Sequence, residues 1–557
     1  MSDTMTRRTS PSRLLRRDDQ PAQLIVDGEP FLIRGAELHN SSAGTPDSIR
    51  TALNALDGRH VNTVLAPVSW HIVEPEEGVF DFSIVDQLLE CARSHGYRLV
   101  LLWFGSWKNG MSSYAPSWVK KDAARFPRAL ITVDGALQLV EHLSPFGPDS
   151  RAADAAAFTQ LMTHLRDADA LHGTVIMVQV ENEVGLLGDS RDRSPAAEAA
   201  FHSPVTADVL QTVRADPMLR VHREWESRAS RTDGTWTEVF GESATTDEAF
   251  MATAYADYIG EVSARGRAIY DIPLFVNAWL DSDIDIPGFP LAGGMQPGFY
   301  PSGGPLPHVA GLWRAKAPAL DLLVPDIYFG DPAAICGSFA SASGGLFIPE
   351  MRSDAAGASL AFEAIGEHGA LGVAPFGMDS LRDDEGAEIT DAYRIIDATH
   401  ARIHDGRSRS ATRGFRLTTA EPTREITFDE ITLTATLFTD FTGNRGDRPG
   451  YGIIIRQLDG SFIVAGRGFK VTAAGAGFVG IDTATELSAT DLAVTRILNG
   501  DETQSGSGIV HQPLGHTNNG NFPIPASVGG TGITHVTFYS LDAGSSSRQQ
   551  QEPATDA

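Results

Sequence analysis

A cluster of acidic and amide side chains follows a short apolar segment near the middle of the chain. The segment VIMVQV ends at Val180, and Glu181, Asn182 and Glu183 come directly after it. Side chains alternate along a strand, so Glu181 and Glu183 would share one face, with Asn182 on the other, until the strand ends. The end of a buried strand is where barrel enzymes place catalytic groups, although acidic residues also simply solvate strand ends.

A second carboxylate follows another apolar segment, LFIPEM. Pro349 cannot donate to a central ladder, so we expect pairing to stop there and Glu350 to be released to the rim. Two carboxylates in one pocket are what glycosidic bond cleavage requires, since one must be protonated and the other ionised. Placing the two carboxyl groups close together favours this difference in protonation, because the negative charge of one raises the pKa of the other. A separation of ~5 Å would mean retention of configuration.

Aromatic and amide side chains near predicted strand ends are candidates for binding a sugar. Flat rings pack on the C–H faces of sugars, although an aromatic side chain in a barrel also serves the core. Trp107 and Asn109 follow the third predicted strand in a segment polar enough to be a rim loop. The other aromatic candidates near strand ends are Trp70, Trp103, Trp118, Trp279 and Tyr328.

Short apolar segments alternate with helical patterns over about the first 380 residues, which favours a parallel sheet. Eight such units predict a (β/α)8 TIM barrel, with its site at the carboxyl ends of the strands. The stretch 185–245 is too long for a simple connection and would lie on that face. The eight predicted strands are 32–37, 61–66, 98–104, 174–180, 274–277, 322–327, 346–349 and 370–374.

The pattern changes after about Asp405 to short alternating segments separated by turn signals, which indicates an all-β domain, a sandwich. The basic N-terminus has no apolar core of a secretory signal and is interpreted as disordered. We therefore predict a disordered arm (1–20), a catalytic barrel (21–405), a β-sandwich (406–543) and a disordered tail (544–557).

Composition excludes several classes of function. The net charge of −27 makes binding to a phosphate backbone improbable, so we expect no nucleic-acid partner. No apolar run is long enough to cross a bilayer, so no membrane partner is expected. Two cysteines exclude a disulfide framework. The scattered histidines lack metal-ligand spacing and no phosphate-binding loop occurs, so we expect neither a metal nor a cofactor.

Three segments of the chain together resemble a retaining glycoside hydrolase of clan A. They are WHIVEP with GVFDF from Trp70 onward, QVENE, and the position of Glu350. More narrowly, they are similar to the β-galactosidases of glycoside hydrolase family 35 and their relatives in family 42. The resemblance covers about Leu24 to Asp405, and FIVAGRGFKV and RILNGDET resemble the β-domain that accompanies a bacterial subgroup.

This resemblance implies roles for individual residues. Glu183 would be the general acid/base, Glu350 the nucleophile, and Asn182 the partner of the sugar 2-hydroxyl. Weaker assignments place Trp70, Asn109 and Tyr328 at the subsite of the cleaved sugar, with Trp107 and Trp279 stacking on sugars. The segment WFGSWKNGMSSYAPSWVK departs from the glutamate–tryptophan pair and paired glycines of many members, so contacts to the 4- and 6-hydroxyls stay open.

The leading hypothesis is therefore an exo-acting retaining β-galactosidase that acts on oligosaccharides or galactosides in the cytoplasm. The alternatives within the same chemistry are a β-glucosidase, an α-L-arabinopyranosidase and a galactosidase for xyloglucan side chains. A glycan-binding protein without turnover is the alternative from another class. A homodimer stays open as the oligomeric state.

Overall fold

The computed structural model describes residues 10–18, 20–282, 294–440, 443, 448–500, 502–516 and 530–541. These residues form two units. The first extends to Arg352 and includes Ala370–Leu381, and the second comprises Ser353–Gly369 and the chain from Arg382 onward. The predicted domain limits, 21–405 and 406–543, differ from these divisions and remain a prediction.

The first unit is built around a closed barrel of eight parallel strands, in the order β10-β11-β12-β13-β4-β5-β6-β9. This confirms the predicted (β/α)8 barrel. The strands of the unit are β1 (Arg13–Arg17), β2 (Gln20–Val26), β3 (Glu29–Phe31), β4 (Ile33–Glu37), β5 (Thr63–Ser69), β6 (Arg98–Lys108), β7 (Arg128–Val133), β8 (Ala136–Leu143), β9 (Val175–Asn182), β10 (Leu274–Ala278), β11 (Leu322–Ile327), β12 (Ile348–Met351) and β13 (Gly372–Pro375).

Twelve helices of the described chain belong to this unit, and the predicted long connection at 185–245 contains four of them, α6 to α9. The helices are α1 (Pro46–Asn54), α2 (Trp70–Val73), α3 (Ser83–His95), α4 (Ser117–Lys121), α5 (Pro148–Asp169), α6 (Pro195–Phe201), α7 (Ala207–Ala215), α8 (Arg220–Ser227), α9 (Trp236–Phe240), α10 (Ala244–Ile269), α11 (Ala310–Lys316) and α12 (Pro332–Ser343).

Apolar side chains from most of the barrel strands fill its interior, among them Leu65, Leu102 and Phe104. Their burial on every side explains why the strands read as continuous apolar runs rather than alternating ones. Phe104 is the member of this core that lies nearest the carboxyl end of β6. The interior is therefore a packed support beneath the mouth of the barrel.

The N-terminal arm is ordered over part of the range predicted to be disordered. Residues 1–9 lie outside the described residues, but β1 pairs with β2 in an antiparallel sheet. Leu14 packs against the barrel core, and the Ser12 hydroxyl donates a hydrogen bond of 2.6 Å to the carbonyl of Ile176. These contacts order the arm because they bury an apolar side chain and satisfy a polar one.

Strand β12 corrects the expectation that pairing stops at Pro349. Pro349 lies inside β12, and Glu350 pairs in parallel register with Asp326 of β11. Proline lacks only the N–H group, so its carbonyl still accepts and the ladder continues. The register against β13 shifts between Ile348 and Met351. Glu350 is therefore held by the strand itself and not by a loop.

Strand β6 contains a large bulge at its carboxyl end. Trp103 pairs with Val180 of β9, but the next pair joins Lys108 to Asn182, so four residues of β6 oppose one of β9. A Cβ atom on Gly105 would lie 2.5 Å from a carboxylate oxygen of Glu181, which leaves no space for a larger residue. Bulges of this kind redirect side chains at barrel rims.

The second unit is largely antiparallel, and this confirms the predicted all-β C-terminal region. It contains α13 (Ala355–Gly366), α14 (Ala387–Ser408), β14 (Thr412–Leu417), β15 (Thr423–Phe428), β16 (Ile431–Leu437), β17 (Gly450–Arg456), β18 (Phe462–Arg467), β19 (Phe469–Ala474), β20 (Phe478–Leu487), β21 (Val494–Ile497), β22 (Ile509–His511) and β23 (Ile533–Leu541). A six-stranded and a four-stranded sheet share one apolar cluster, as in a sandwich. The predicted disordered tail, 544–557, lies outside the described residues.

Within the part of the chain that the structure describes, no helix combines the length and the apolar character needed to cross a bilayer.

Barrel closure between β13 and β4 depends on Gly372, and this gives a test of the fold. Its φ is +153°, and an added Cβ would lie 2.1 Å from the carbonyl oxygen of Ile33. We expect Gly372→Ala to lower the free energy of unfolding by about 2–4 kcal/mol, because backbone atoms must move to relieve the overlap. Chemical denaturation measures the change.

The matched control is Gly44→Ala, where the nearest atom would be 3.5 Å away. We expect this control to change stability by less than about 0.5 kcal/mol. Equal stability of the two variants would contradict the close approach of β13 and β4.

Candidate active site

Five charged side chains gather at the carboxyl ends of five barrel strands. They are Glu37 of β4, Lys108 of β6, Glu183 after β9, Asp326 of β11 and Glu350 of β12, and all are buried. Each of Glu37, Lys108, Glu183 and Asp326 interacts electrostatically with Glu350. We call these five residues the mouth cluster. The structure thus brings Glu183 and Glu350, the two glutamates selected from the sequence, into one desolvated site.

Glu183 is fixed through its backbone and its side chain. Its N–H donates to Asn277 Oδ1 at 2.9 Å, and Asn277 Nδ2 donates to Asp326 at 2.7 Å. The Asn109 amide donates to the Glu183 carboxylate, as expected for a rim residue. The φ of Glu183 is +45°, a left-handed conformation that costs a non-glycine residue about 1–3 kcal/mol. Neighbouring strands therefore hold Glu183 in a conformation it would not adopt alone.

Burial and the charge of Glu350 raise the pKa of Glu183 to about 7, against the opposing effects of Lys108 and of a hydrogen bond with Asp326. Burial and the nearby carboxylates also raise the pKa values of Glu37 and Asp326 well above their ordinary range. Burial lowers the pKa of Lys108, but the surrounding carboxylates have the larger combined effect. The pKa of Lys108 is therefore raised. Near neutral pH the site therefore contains protonated carboxyl groups beside a charged ammonium.

Glu350 has one occupied and one open oxygen. The Tyr328 hydroxyl donates to Oε1 at 2.6 Å, whereas Oε2 is buried and has no protein partner. Burial and the charge of Glu350 raise the pKa of Tyr328, so Tyr328 remains a donor at neutral pH. The Tyr328 hydroxyl orients the carboxylate through Oε1 and leaves Oε2 available to a ligand in the mouth.

Asn182 has a fully buried side chain whose amide nitrogen and oxygen both lack protein partners. Buried amides are normally hydrogen-bonded, and a pair of unused groups indicates a ligand or water position. Asn182 lies between Glu181 and Glu183 at the end of β9. Its amide can therefore donate to and accept from one hydroxyl group of a ligand.

Glu181 does not share the face of Glu183, which differs from simple strand alternation. Both residues have positive φ, +64° for Glu181, so the strand turns sharply there. The Glu181 carboxylate accepts the N–H groups of Ser106 at 3.1 Å and Trp107 at 2.7 Å. Burial and the nearby Asp154 raise its pKa well above the usual range. Glu181 therefore supports the bulge of β6 instead of facing the mouth.

The aromatic candidates divide into core and rim. Trp70 and Trp107 are fully buried, and their indole nitrogens donate to Glu74 at 2.7 Å and to the Leu143 carbonyl at 3.0 Å. Neither ring has a free face, which corrects the expectation that Trp107 stacks on a sugar and that Trp70 lines the subsite. Trp279, one residue beyond β10, is only partly buried and stays a candidate.

Three members of the mouth cluster were missed by sequence reasoning, namely Glu37, Lys108 and Asp326. Each is a charged residue at or near the end of an apolar strand, which is the same signal that identified Glu183. Among the residues that the structure describes, no group of three or more acidic, histidine or cysteine side chains is arranged to hold a metal ion.

The arrangement around Glu181 predicts a difference between two substitutions. Glutamine at 181 still has an oxygen that can accept from the Trp107 N–H, and its amide can donate to Asp154. The Ser106 N–H still donates a hydrogen bond of 3.2 Å to Asp154. We expect Glu181→Gln to cost less than about 1 kcal/mol and Glu181→Ala about 2–4 kcal/mol, because alanine leaves buried donors unsatisfied. Thermal unfolding of both variants measures this, and equal losses would contradict a protonated Glu181.

A raised pKa at Glu183 predicts how stability depends on pH. A carboxyl whose folded pKa exceeds its unfolded value contributes stability below the unfolded pKa and loses it as pH rises through about 7. We expect Glu183→Gln to be more stable than wild type at pH 8, by up to about 3 kcal/mol, with a smaller difference at pH 5. Melting temperatures at both pH values measure this. Exposed Glu29→Gln is the control, and a pH-independent difference in Glu183→Gln would contradict the raised pKa.

Comparison with protein families gives two matches. Residues 40–240 match the family 42 glycoside hydrolase model, described as Beta-galactosidase, and residues 389–509 match a domain of unknown function, DUF5597. The first match includes Glu183 and ends before Glu350. No curated protein matches the chain.

Solved structures with similar folds include two β-galactosidases and a β-amylase. The enzyme from Bacillus circulans sp. alkalophilus is 15% identical, with a TM-score of 0.46 over 68% of this chain and 57% of that one. The enzyme from the psychrophilic Marinomonas ef1 is 13% identical, with a TM-score of 0.43 over 66% and 60%. The β-amylase catalytic domain from Paenibacillus polymyxa is 13% identical, with a TM-score of 0.46 over 64% and 96%. The chain thus spans less than two thirds of either β-galactosidase.

The family match refines the resemblance seen in the sequence motifs. The matching model is that of family 42 and not of family 35, which the sequence motifs predicted. Both resemblances concern clan A, whose members act on glycosidic bonds. The match thus gives residues 40–240 a likeness to glycoside hydrolases.

Proposed function

We propose that the protein is an exo-acting retaining glycoside hydrolase that releases terminal β-D-galactose by double displacement. The observation that carries this proposal is the pairing of Glu183 with Glu350 in one buried mouth. Glu183 has a pKa raised to about 7 by burial and by Glu350, as a general acid requires. Glu350 has an unpartnered oxygen, Oε2, as a nucleophile requires.

In the first step, Glu350 Oε2 forms a bond to the anomeric carbon and the bond to the leaving oxygen breaks. Glu183 gives its proton to that oxygen, so the aglycone leaves as a neutral alcohol. The Tyr328 hydroxyl holds the other oxygen of Glu350 in place during the attack. The product is a glycosyl ester of Glu350.

In the second step, Glu183 is ionised and accepts a proton from water as the water attacks the anomeric carbon. The bond to Glu350 breaks, and both carboxyl groups return to their starting states. Asn182 supplies a hydrogen bond to the 2-hydroxyl, since both of its amide atoms are unpartnered. This bond would strengthen in the transition state and lower the barrier of both steps.

The choice of galactose is supported by the family 42 match, whose description is Beta-galactosidase, and by the motifs that resemble families 35 and 42. The altered β6 segment, with the buried Lys108 and with Asn109 bonded to Glu183, leaves the contacts to the 4- and 6-hydroxyls open. A glucoside or an α-L-arabinopyranoside differs from the galactoside in these same positions. The test therefore compares the three sugars directly.

We expect the wild-type protein to release 4-nitrophenol from the β-D-galactopyranoside faster than from the β-D-glucopyranoside or the α-L-arabinopyranoside. Glu350→Gln should fold normally and lose at least about 1,000-fold in kcat, because an amide cannot form the glycosyl ester. Initial rates and melting temperatures measure both effects, with Glu29→Gln as the matched control.

Each outcome of this test has a distinct meaning. Full activity of Glu350→Gln would refute the nucleophile assignment. Faster release from the glucoside or arabinoside would replace the named sugar while keeping the chemistry. No release from any of the three glycosides would contradict the proposed activity on small galactosides.

A further inference from the structure

Lys108 occupies the floor of the barrel mouth. It is the last residue of β6, only 6% exposed, and its ammonium nitrogen lies 5.0 Å from the ring centre of Phe104 in the barrel core. A cation placed over an aromatic face is stabilised by the ring quadrupole. The chain thus buries a lysine at the base of the site, where burial of an ammonium is costly unless other groups compensate.

The compensating charges come from four different strands. Glu350, Glu183, Glu37 and Asp326 all act on Lys108 electrostatically. Among the described residues, none of them forms an ion pair or hydrogen bond with its ammonium. The ammonium therefore interacts with these carboxyl groups over longer distances than those of a direct ion pair.

Three of the carboxyl groups that interact with Lys108 have unused oxygen atoms. Glu37 Oε2, Asp326 Oδ1 and Glu350 Oε2 are buried without protein partners. Leaving a buried polar atom unsatisfied destabilises the fold, so several such atoms in one place indicate a site completed by a ligand. A hydroxyl group can accept from the lysine and donate to a carboxylate at the same time, and neighbouring hydroxyls on a ring repeat that pattern.

We propose that Lys108, with Glu37 and Asp326, recognises ring hydroxyls of the sugar and makes the mouth selective for an uncharged sugar. This inference rests on the proposed function and identifies specificity-determining residues for it. Lys108 donates to a hydroxyl oxygen, while Glu37 and Asp326 accept from hydroxyl protons or share their own. None of the three takes part in bond breaking.

The charge balance of the mouth cluster supports selection against anionic sugars. The cluster contains one cation, Lys108, and four carboxyl groups around it. A uronate or a sulfated sugar would add negative charge to a buried site with no further cation within the cluster. Neutral hydroxyls avoid this desolvation and repulsion.

The test measures binding of D-galactose and its 2-, 3-, 4- and 6-deoxy forms by titration calorimetry. In wild type we expect removal of the hydroxyl that contacts Lys108 to weaken binding by about 10–100-fold, as for a hydrogen bond to a charged group. In Lys108→Met the same removal should cost less than about 3-fold, because the partner is already absent. The exposed Lys121→Met is the matched control and should keep the wild-type pattern.

Two further arms complete the experiment. Glu37→Gln is taken through the same series, so that the inference is tested even if Lys108→Met does not fold. We expect Glu37→Gln to change the loss of affinity on removing a hydroxyl, whereas Lys121→Met keeps the wild-type losses. D-galacturonate should bind at least about 10-fold more weakly than D-galactose at pH 7.

The inference would be overturned by deoxy penalties that are the same in wild type, Lys108→Met and Glu37→Gln. It would also be overturned by tighter binding of D-galacturonate than of D-galactose, with loss of that preference in Lys108→Met, or by wild type that binds no sugar of the panel. Turnover is measured separately. Binding that follows the expected pattern, without hydrolysis of any glycoside, would refute the proposed function and leave the sugar-recognition site standing.

Discussion

Too many ionisable groups share one desolvated space at the barrel mouth for all of them to be charged. Four carboxyl groups surround one lysine, and water is largely excluded from all five residues. Protons must therefore remain on some carboxyl groups near neutral pH, and burial with Glu350 nearby raises the pKa of Glu183 to about 7. Crowding at the ends of parallel strands thus produces the raised pKa that the proposed acid needs.

This crowding is maintained by strain and by support from neighbouring strands. Glu181, Glu183 and Asn109 all have left-handed backbone conformations, which isolated peptides rarely adopt. The Glu183 N–H donates to Asn277, and the Glu181 carboxylate accepts from the N–H groups of residues 106 and 107. These hydrogen bonds hold Glu181 and Glu183 in place. The cost is local to the site, whereas the apolar interior of the barrel supplies the stability that offsets it.

The sequence was sufficient for the strands of the barrel and for placing Glu183 and Glu350 at strand ends, since both follow apolar runs. The catalytic roles of the two glutamates remain a proposal. The sequence was insufficient where backbone geometry determines whether a strand continues or which way a side chain turns. Pro349 continues a strand because its carbonyl still accepts, and Glu181 turns away from Glu183 because of a positive φ. Trp107 is buried by the β6 bulge, although the residues around it are polar. Lys108 could not be placed because its position depends on the same bulge.

The β6 bulge has a consequence for how such a site can diversify. The register between β5 and β6 is regular up to Phe104, and that between β6 and β9 is restored at Lys108, so the extra residues are confined to 104–107. Changes within this short segment would move residue 108 across the floor of the mouth while β9 and β12 keep their glutamates. Altering this one bulge would therefore change the proposed sugar contacts without moving the two glutamates proposed to cleave the bond.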